Sequence, residues 1–204
     1  MRILSTTISC VGVLSALLLT QCDRASSEDK SVQKEASAFA GFESQVKWGE
    51  HLVTVSACHD CHSPKKMTEQ GMEIDTALLL SGHPSQMAAV DVNRQDMETK
   101  GIIATSDLTS WVGPWGVSYT ANLTPDSTGT LAWKEEQFIY ALRNGITKGL
   151  PGSRPILPPM PWPEYKNMTD REMKAIFAYL RSIKPISNAV PPPKPPASAP
   201  PKKG

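Results

Sequence analysis

Cysteines 58 and 61 are separated by two residues and followed at once by a histidine, in the stretch Ala57-Cys58-His59-Asp60-Cys61-His62-Ser63-Pro64. Two thiols at that spacing hold a metal, exchange a disulfide, or form thioethers with the vinyl groups of a porphyrin. A structural zinc site needs four ligands, and the sequence has no second Cys-x-x-Cys or histidine pair to complete one. A thioredoxin-like pair belongs to a βαβ context and gains nothing from His62. A disulfide between residues three apart is strained and uncommon. The adjacent histidine suits the remaining chemistry, because both sulfurs reach one edge of a haem c while His62 turns beneath the ring to give the iron an axial nitrogen. His59 lies inside the loop and is poorly placed for that role.

An iron held this way has a second axial position. Met160 stands apart from the other methionines because it lies in Arg154-Pro155-Ile156-Leu157-Pro158-Pro159-Met160-Pro161-Trp162-Pro163. A thioether is a weak ligand, so its position must be fixed by the backbone, and prolines lower the entropy lost on ligation. The competing reading is a rigid connector with a buried methionine. His51 and His83 are the other ligand candidates, and His83 near its Gly-Pro turn also reads as an ordinary surface residue. A His62/Met160 pair fills both axial positions and suits electron transfer rather than substrate binding. The rival function is a haem enzyme or gas-binding sensor with an open distal site, but no acid, base or nucleophile constellation flanks the motif. Arg154 is a candidate partner for a haem propionate. Trp111, Trp115, Tyr119 and Asn122 are candidate wall or propionate contacts, with ordinary packing as an equal alternative.

Several elements must position these groups. The spacing of Val46, Leu52, Val53 and Val55 predicts a helix from about Ser44 that delivers Cys58 near its C-terminal end. Glu73 to Gly82 reads as one short helical piece. The segment Leu108 to Asp126 carries too much apolar surface to leave in water and reads as ordered loop. Phe138, Ile139 and Leu142 share one face of a helix stopped by Gly145, whose start has Lys134 where a capping Ser, Thr or Asp is expected. The clearest helix follows Thr169: Glu172 completes a capping box, Met168 can staple onto Met173, and Ile176, Phe177, Leu180 and Ile183 form its buried face. No run of alternating strands is evident. The expected fold is therefore all-α, with a long loop-rich insertion.

With 204 residues, the chain has room for one domain and extensions. Its 21 Lys and Arg balance 20 Asp and Glu, which argues for neither nucleic acid nor a polyanion as partner. Residues 1–22 have one Arg and then an uncharged apolar run, the pattern of an export signal to the periplasmic side. Cys22 closes that run as in a bacterial lipoprotein signal, although Gln21 departs from the usual small residue. Lipidation there would anchor the domain to a membrane through a flexible tether at 23–40. The domain itself is expected at 41–185, followed by a Pro/Lys-rich tail at 186–204 that reads as extended and largely solvated.

Taken in order, Ala57 to His62, Ala121 to Ile146 and Ile156 to Pro185 resemble a class I type cytochrome c domain. The resemblance is greatest to exported single-haem cytochromes related to the cytochrome subunits of bacterial membrane dehydrogenases, and covers roughly residues 44 to 185. It implies a helical fold with N- and C-terminal helices packed across each other. It also implies Cys58 and Cys61 as covalent attachments, His62 as proximal and Met160 as distal iron ligand, and redox proteins as donor and acceptor, with a membrane dehydrogenase complex among the candidates. The segment from Ser63 to Thr120 is long for a minimal member, and its fold is not implied.

Overall fold

The computed structural model describes residues 38–198. The export signal, the lipidation point at Cys22, all but the end of the tether, and residues 199–204 lie outside the described residues. Described residues before Ser44 belong to a separate unit from the body that begins there. In chain order the body contains α1 (Gln45–Val55), α2 (Cys58–His62), β1 (Lys65–Thr68), β2 (Gly71–Ile74), α3 (Arg94–Lys100), β3 (Ser110–Gly113), β4 (Gly116–Tyr119), α4 (Glu135–Asn144), α5 (Trp162–Tyr165) and α6 (Asp170–Ser182).

Helix α1 starts where the Ser44 hydroxyl accepts from the Lys47 N–H, and buries Trp48, Leu52 and Val53. Helix α6 starts with the full capping box, since the Thr169 hydroxyl accepts from the Glu172 N–H and the Glu172 carboxylate accepts from the Thr169 N–H. It buries Met173, Ala175, Ile176, Phe177 and Leu180, while Ile183 falls at its C-cap and is only half-buried. These two helices pack across each other at Gly49. A Cβ there would lie 1.9 Å from the Ala175 carbonyl oxygen, so only glycine permits the approach. Helix α4 joins them through Phe138, whose ring lies 5.5 Å from that of Phe177. Lys134 does precede it without a capping side chain, but the Gln137 amide oxygen accepts from the Lys134 N–H and ties the first turn.

The helical frame matches the expectation; the all-α assignment needs correction. The insertion folds into two antiparallel hairpins, β1–β2 with Met67 opposite Met72, and β3–β4 with Val112 opposite Val117. The second hairpin occupies the stretch expected to be ordered loop. Its signal in the sequence is slight, because each strand has four residues and both faces are largely covered, which removes the apolar–polar alternation. The short helical piece expected before Gly82 is reduced to a 3-10 turn at Thr76–Leu78, with Glu73 and Ile74 taken into β2.

The tail is extended, as its prolines require, but residues 186–197 are held against the body. Ile186 accepts from Asn122, and Asn188 bonds the 81–85 loop. Lys194 exchanges backbone bonds with Val117, and the Ala197 N–H reaches Glu98. Gly116 makes the Lys194 approach feasible, since a Cβ there would lie 2.2 Å from the Lys194 carbonyl.

Candidate functional site

Between α1 and α2 the chain turns sharply at Ala57, which has φ +55° in the left-handed region. Non-glycine residues enter that region at a cost. Here the bend starts a new helix immediately, and α2 carries Cys58 and Cys61 on its first turn and His62 at its end. Lys65 braces the far end, donating to the carbonyls of Asp60 at 2.6 Å and Ser63 at 2.7 Å. A cation at carbonyls that the helix leaves without partners is favourable. Ser63, fully buried, accepts from the Leu80 N–H at 3.0 Å and ties the motif to the insertion.

His62 is buried, with 8% of its surface exposed. Its Nδ1 lies 2.8 Å from the carbonyl oxygen of Ala121. A carbonyl only accepts, so Nδ1 carries the proton and Nε2 keeps its lone pair. Burial holds the ring below its ordinary pKa of 6.5, which favours the neutral, ligating form. The carbonyl of His62 accepts from the Gly82 N–H at 2.8 Å, and Gly82 in turn is pressed against Ala121, where a Cβ would come within 2.7 Å of the Ala121 carbonyl oxygen. Both ends of His62 are thus fixed by one pair of adjoining segments.

The two thiols are not joined to each other. Burial pushes Cys58 up to about 12 from 9.0, and Cys61 also upward. A thiol exchanger needs the opposite shift. Among the described residues no group of three or more His, Cys, Asp or Glu is placed to hold a metal ion. Two separate thiols beside a buried, neutral imidazole with Nε2 unspent are the donor set that covalent haem attachment and axial ligation require.

Met160 is half-buried. Its loop is tied to β4 on one side, where the Pro158 carbonyl accepts from the Ser118 hydroxyl at 2.7 Å, and turns tightly at the methionine itself, whose carbonyl accepts from the Trp162 N–H at 2.9 Å. The Trp162 ring lies over Gly145, where a Cβ would meet it at 2.4 Å. At the end of α5 the Tyr165 hydroxyl donates to the Ser56 carbonyl at 2.7 Å, two residues before Cys58. The Met160 segment is therefore fastened to the chain that enters the cysteine motif.

The remaining candidates separate. Arg154 is exposed, and its guanidinium donates to the Pro155 carbonyl at 2.9 Å. His83 is not a surface residue: it is fully buried, between Thr109 at 2.8 Å and the Met87 carbonyl at 2.9 Å, so both ring nitrogens are engaged. Asn122 spends its amide on Thr124, Thr128 and Ile186. The Trp111 indole bonds Leu108, that of Trp115 bonds Ser118, and the Tyr119 ring packs against that of His83, centroids 4.9 Å apart and planes tilted by 42°. Each of these side chains thus has a hydrogen-bonding or packing role within the fold. The sequence pattern does not reveal Ala121, Gly82 or Tyr165, since a backbone carbonyl leaves no side-chain signal and the Tyr165 contact spans 109 residues.

No family model matches the chain. Stretches of it do match curated proteins. One is the gluconate 2-dehydrogenase cytochrome c subunit of Pantoea cypripedii, 35% identical over 78 residues, 37% of this chain and 17% of the relative. Another is the cytochrome c subunit of the quinone alcohol dehydrogenase of Gluconacetobacter polyoxogenes, 38% identical over 76 residues, 36% of this chain and 16% of the relative. The chain carries a cytochrome c-like domain. One of the subunits of the nicotinate dehydrogenase of Pseudomonas putida also matches, at 35% over 79 residues, which are 38% of this chain and 6% of that protein. The matches thus span less than a fifth of each of these relatives. Haem c with its iron is the cofactor such a domain implies, and Cys58, Cys61 and His62 are donors of the right kind for it.

Proposed function

We propose that this is a single-haem c-type cytochrome that transfers electrons to or from a dehydrogenase-linked chain. The observation that carries the reading is the His62 ring, buried and neutral, with Nδ1 committed to Ala121 and Nε2 left for iron. Cys58 and Cys61 would form the two thioethers, His62 would be the proximal ligand and Met160 the distal one. When bound, the haem supplies a one-electron couple whose potential rises with a thioether ligand.

The chain's own part is to hold that couple still. Ala57 and Lys65 fix the short helix that presents both sulfurs and the imidazole. The Ala121 carbonyl sets the ring's tautomer and strengthens Nε2 as a donor. The Pro158–Trp162 anchors restrict the methionine backbone before ligation, which supports a weak ligand. Arg154 would neutralise a propionate by swinging from its present carbonyl contact.

For location and partners, the apolar start favours export to the periplasmic side, and Cys22 favours a lipid anchor there. The relatives' names favour a dehydrogenase complex as the electron donor. Expression with haem-attachment machinery tests the core of the reading. A protein whose mass exceeds the chain by one haem, with a pyridine complex spectrum showing both vinyl groups saturated, is expected. Haem removed by acid and organic solvent would overturn it.

A further inference from the structure

The tail reads in the sequence as a spacer, yet its first residues contact both segments that hold His62. The Ile186 carbonyl accepts from Asn122 Nδ2 at 2.8 Å, and Asn122 directly follows Ala121. Asn188 Nδ2 donates to the carbonyls of Ser81 at 2.7 Å and His83 at 2.9 Å, the residues on either side of Gly82. Its Oδ1 accepts from the Ser85 N–H at 2.9 Å, and its backbone N–H donates to the Thr128 hydroxyl, which also accepts from Asn122. The two clamped segments are bonded to each other as well, from Leu123 N–H to Leu80 and from His83 N–H to Thr120.

We propose that Ile186 to Asn188 form a clasp that positions the axial histidine: Asn188 fixes the Gly82 loop and Ile186 fixes the Ala121 segment, and together they set the His62 Nδ1–H···O=C bond. A side-chain amide that uses both donors and its acceptor across one loop is a specific brace rather than a surface contact. Asn188 is thus a positioning residue for the redox centre, acting through two backbone segments. This rests on His62 being the proximal ligand. A weaker bond to Ala121 makes Nε2 a poorer donor to oxidised iron, so releasing the clasp raises the reduction potential.

The test is Asn188→Ala in the full-length, haem-loaded protein, with two readouts: the exchange rate of the His62 Nδ1 proton by NMR, and the potential by titration. Exchange faster by about fivefold to tenfold, together with a more positive potential, is the expected result. Lys194→Pro, which removes a tail bond at β4 instead, controls for general loosening and is expected to change neither. Equal effects in the two variants, or wild-type values in Asn188→Ala, would overturn the clasp. Should Asn188→Ala fail to fold, Asn188→Ser, which keeps one bonding group, is read in the same way. His62→Ala separates the two hypotheses: an unchanged low-spin spectrum in that variant removes the ligand assignment itself, whereas its loss beside an inert Asn188→Ala removes only the clasp.

Discussion

The hydroxyl of Tyr165 donates to the carbonyl of Ser56 at 2.7 Å, joining the helix after Met160 to the residue that ends α1 before the cysteine motif. Burial pushes the Tyr165 phenol up to about 12 from 10.0. Because the folded state holds this proton more tightly than the unfolded chain, its contribution to stability is intact below pH 10.0 and is lost towards about 12. Tyr165→Phe is expected to cost about 1 kcal/mol at neutral pH and to remove this part of the alkaline loss. Urea unfolding of both proteins across that pH range checks it.

Gly49 is the contact point of α1 and α6. A methyl group there meets the Ala175 carbonyl oxygen at 1.9 Å and Tyr179 Cβ at 2.9 Å, so the helices must separate. Alanine is the better helix former by about 1 kcal/mol, but overpacking against a rigid backbone outweighs that gain. Gly49→Ala is expected to destabilise by about 2–4 kcal/mol, measured by thermal or urea unfolding. A neutral or stabilised variant would show that the helices part freely.

How much of this is legible in the sequence depends on range. The Thr169–Glu172 capping box and the Phe138/Leu142 face are local patterns, and the structure holds them where the spacing puts them. The cysteine motif is equally local. The Ala121 carbonyl that orients His62 is a backbone group 59 positions away, and no residue type announces it. The tail misleads for another physical reason: proline-rich composition dictates an extended backbone, but extended chain still carries carbonyls and, at Asn188, an amide able to dock. The β3–β4 hairpin is hidden by burial on both faces.

His62 gives a pH dependence of opposite direction to Tyr165. Burial holds its pKa below 6.5, so between the folded value and 6.5 the unfolded chain binds more protons than the folded one. Before haem attachment, stability should therefore fall as pH drops below 6.5, by at most about 1.4 kcal/mol per pH unit from this group. Chemical denaturation of the haem-free chain between pH 7 and 5, set against His62→Gln, isolates the effect. Parallel curves for the two proteins would contradict a buried neutral ring.

The cysteines make a kinetic prediction. With both thiols pushed above 9.0 and Cys58 up to about 12, little thiolate exists near neutrality. Alkylation of the haem-free chain should be slow at neutral pH, with Cys58 slower than Cys61, and mass spectrometry of peptides resolves the order. Cys58→Ser and Cys61→Ser are each expected to leave at most one thioether, and the double variant none on a denaturing gel stained for haem.

Met160 decides between a closed and an open iron. Its side chain is half-buried, so Met160→Ala should cost less than the roughly 2–5 kcal/mol of a core truncation. The loop anchors at Pro158 and Tyr165 do not involve its thioether, so the surrounding backbone should persist. If Met160 is the distal ligand, the reduced wild type will resist carbon monoxide at neutral pH, whereas Met160→Ala will bind it rapidly and stoichiometrically. The variant's potential should also fall, because the thioether that favours reduced iron is gone. Rapid binding by the wild type would mean that the distal site is open, and the gas-binding or enzymatic alternative would then replace electron transfer as the leading reading.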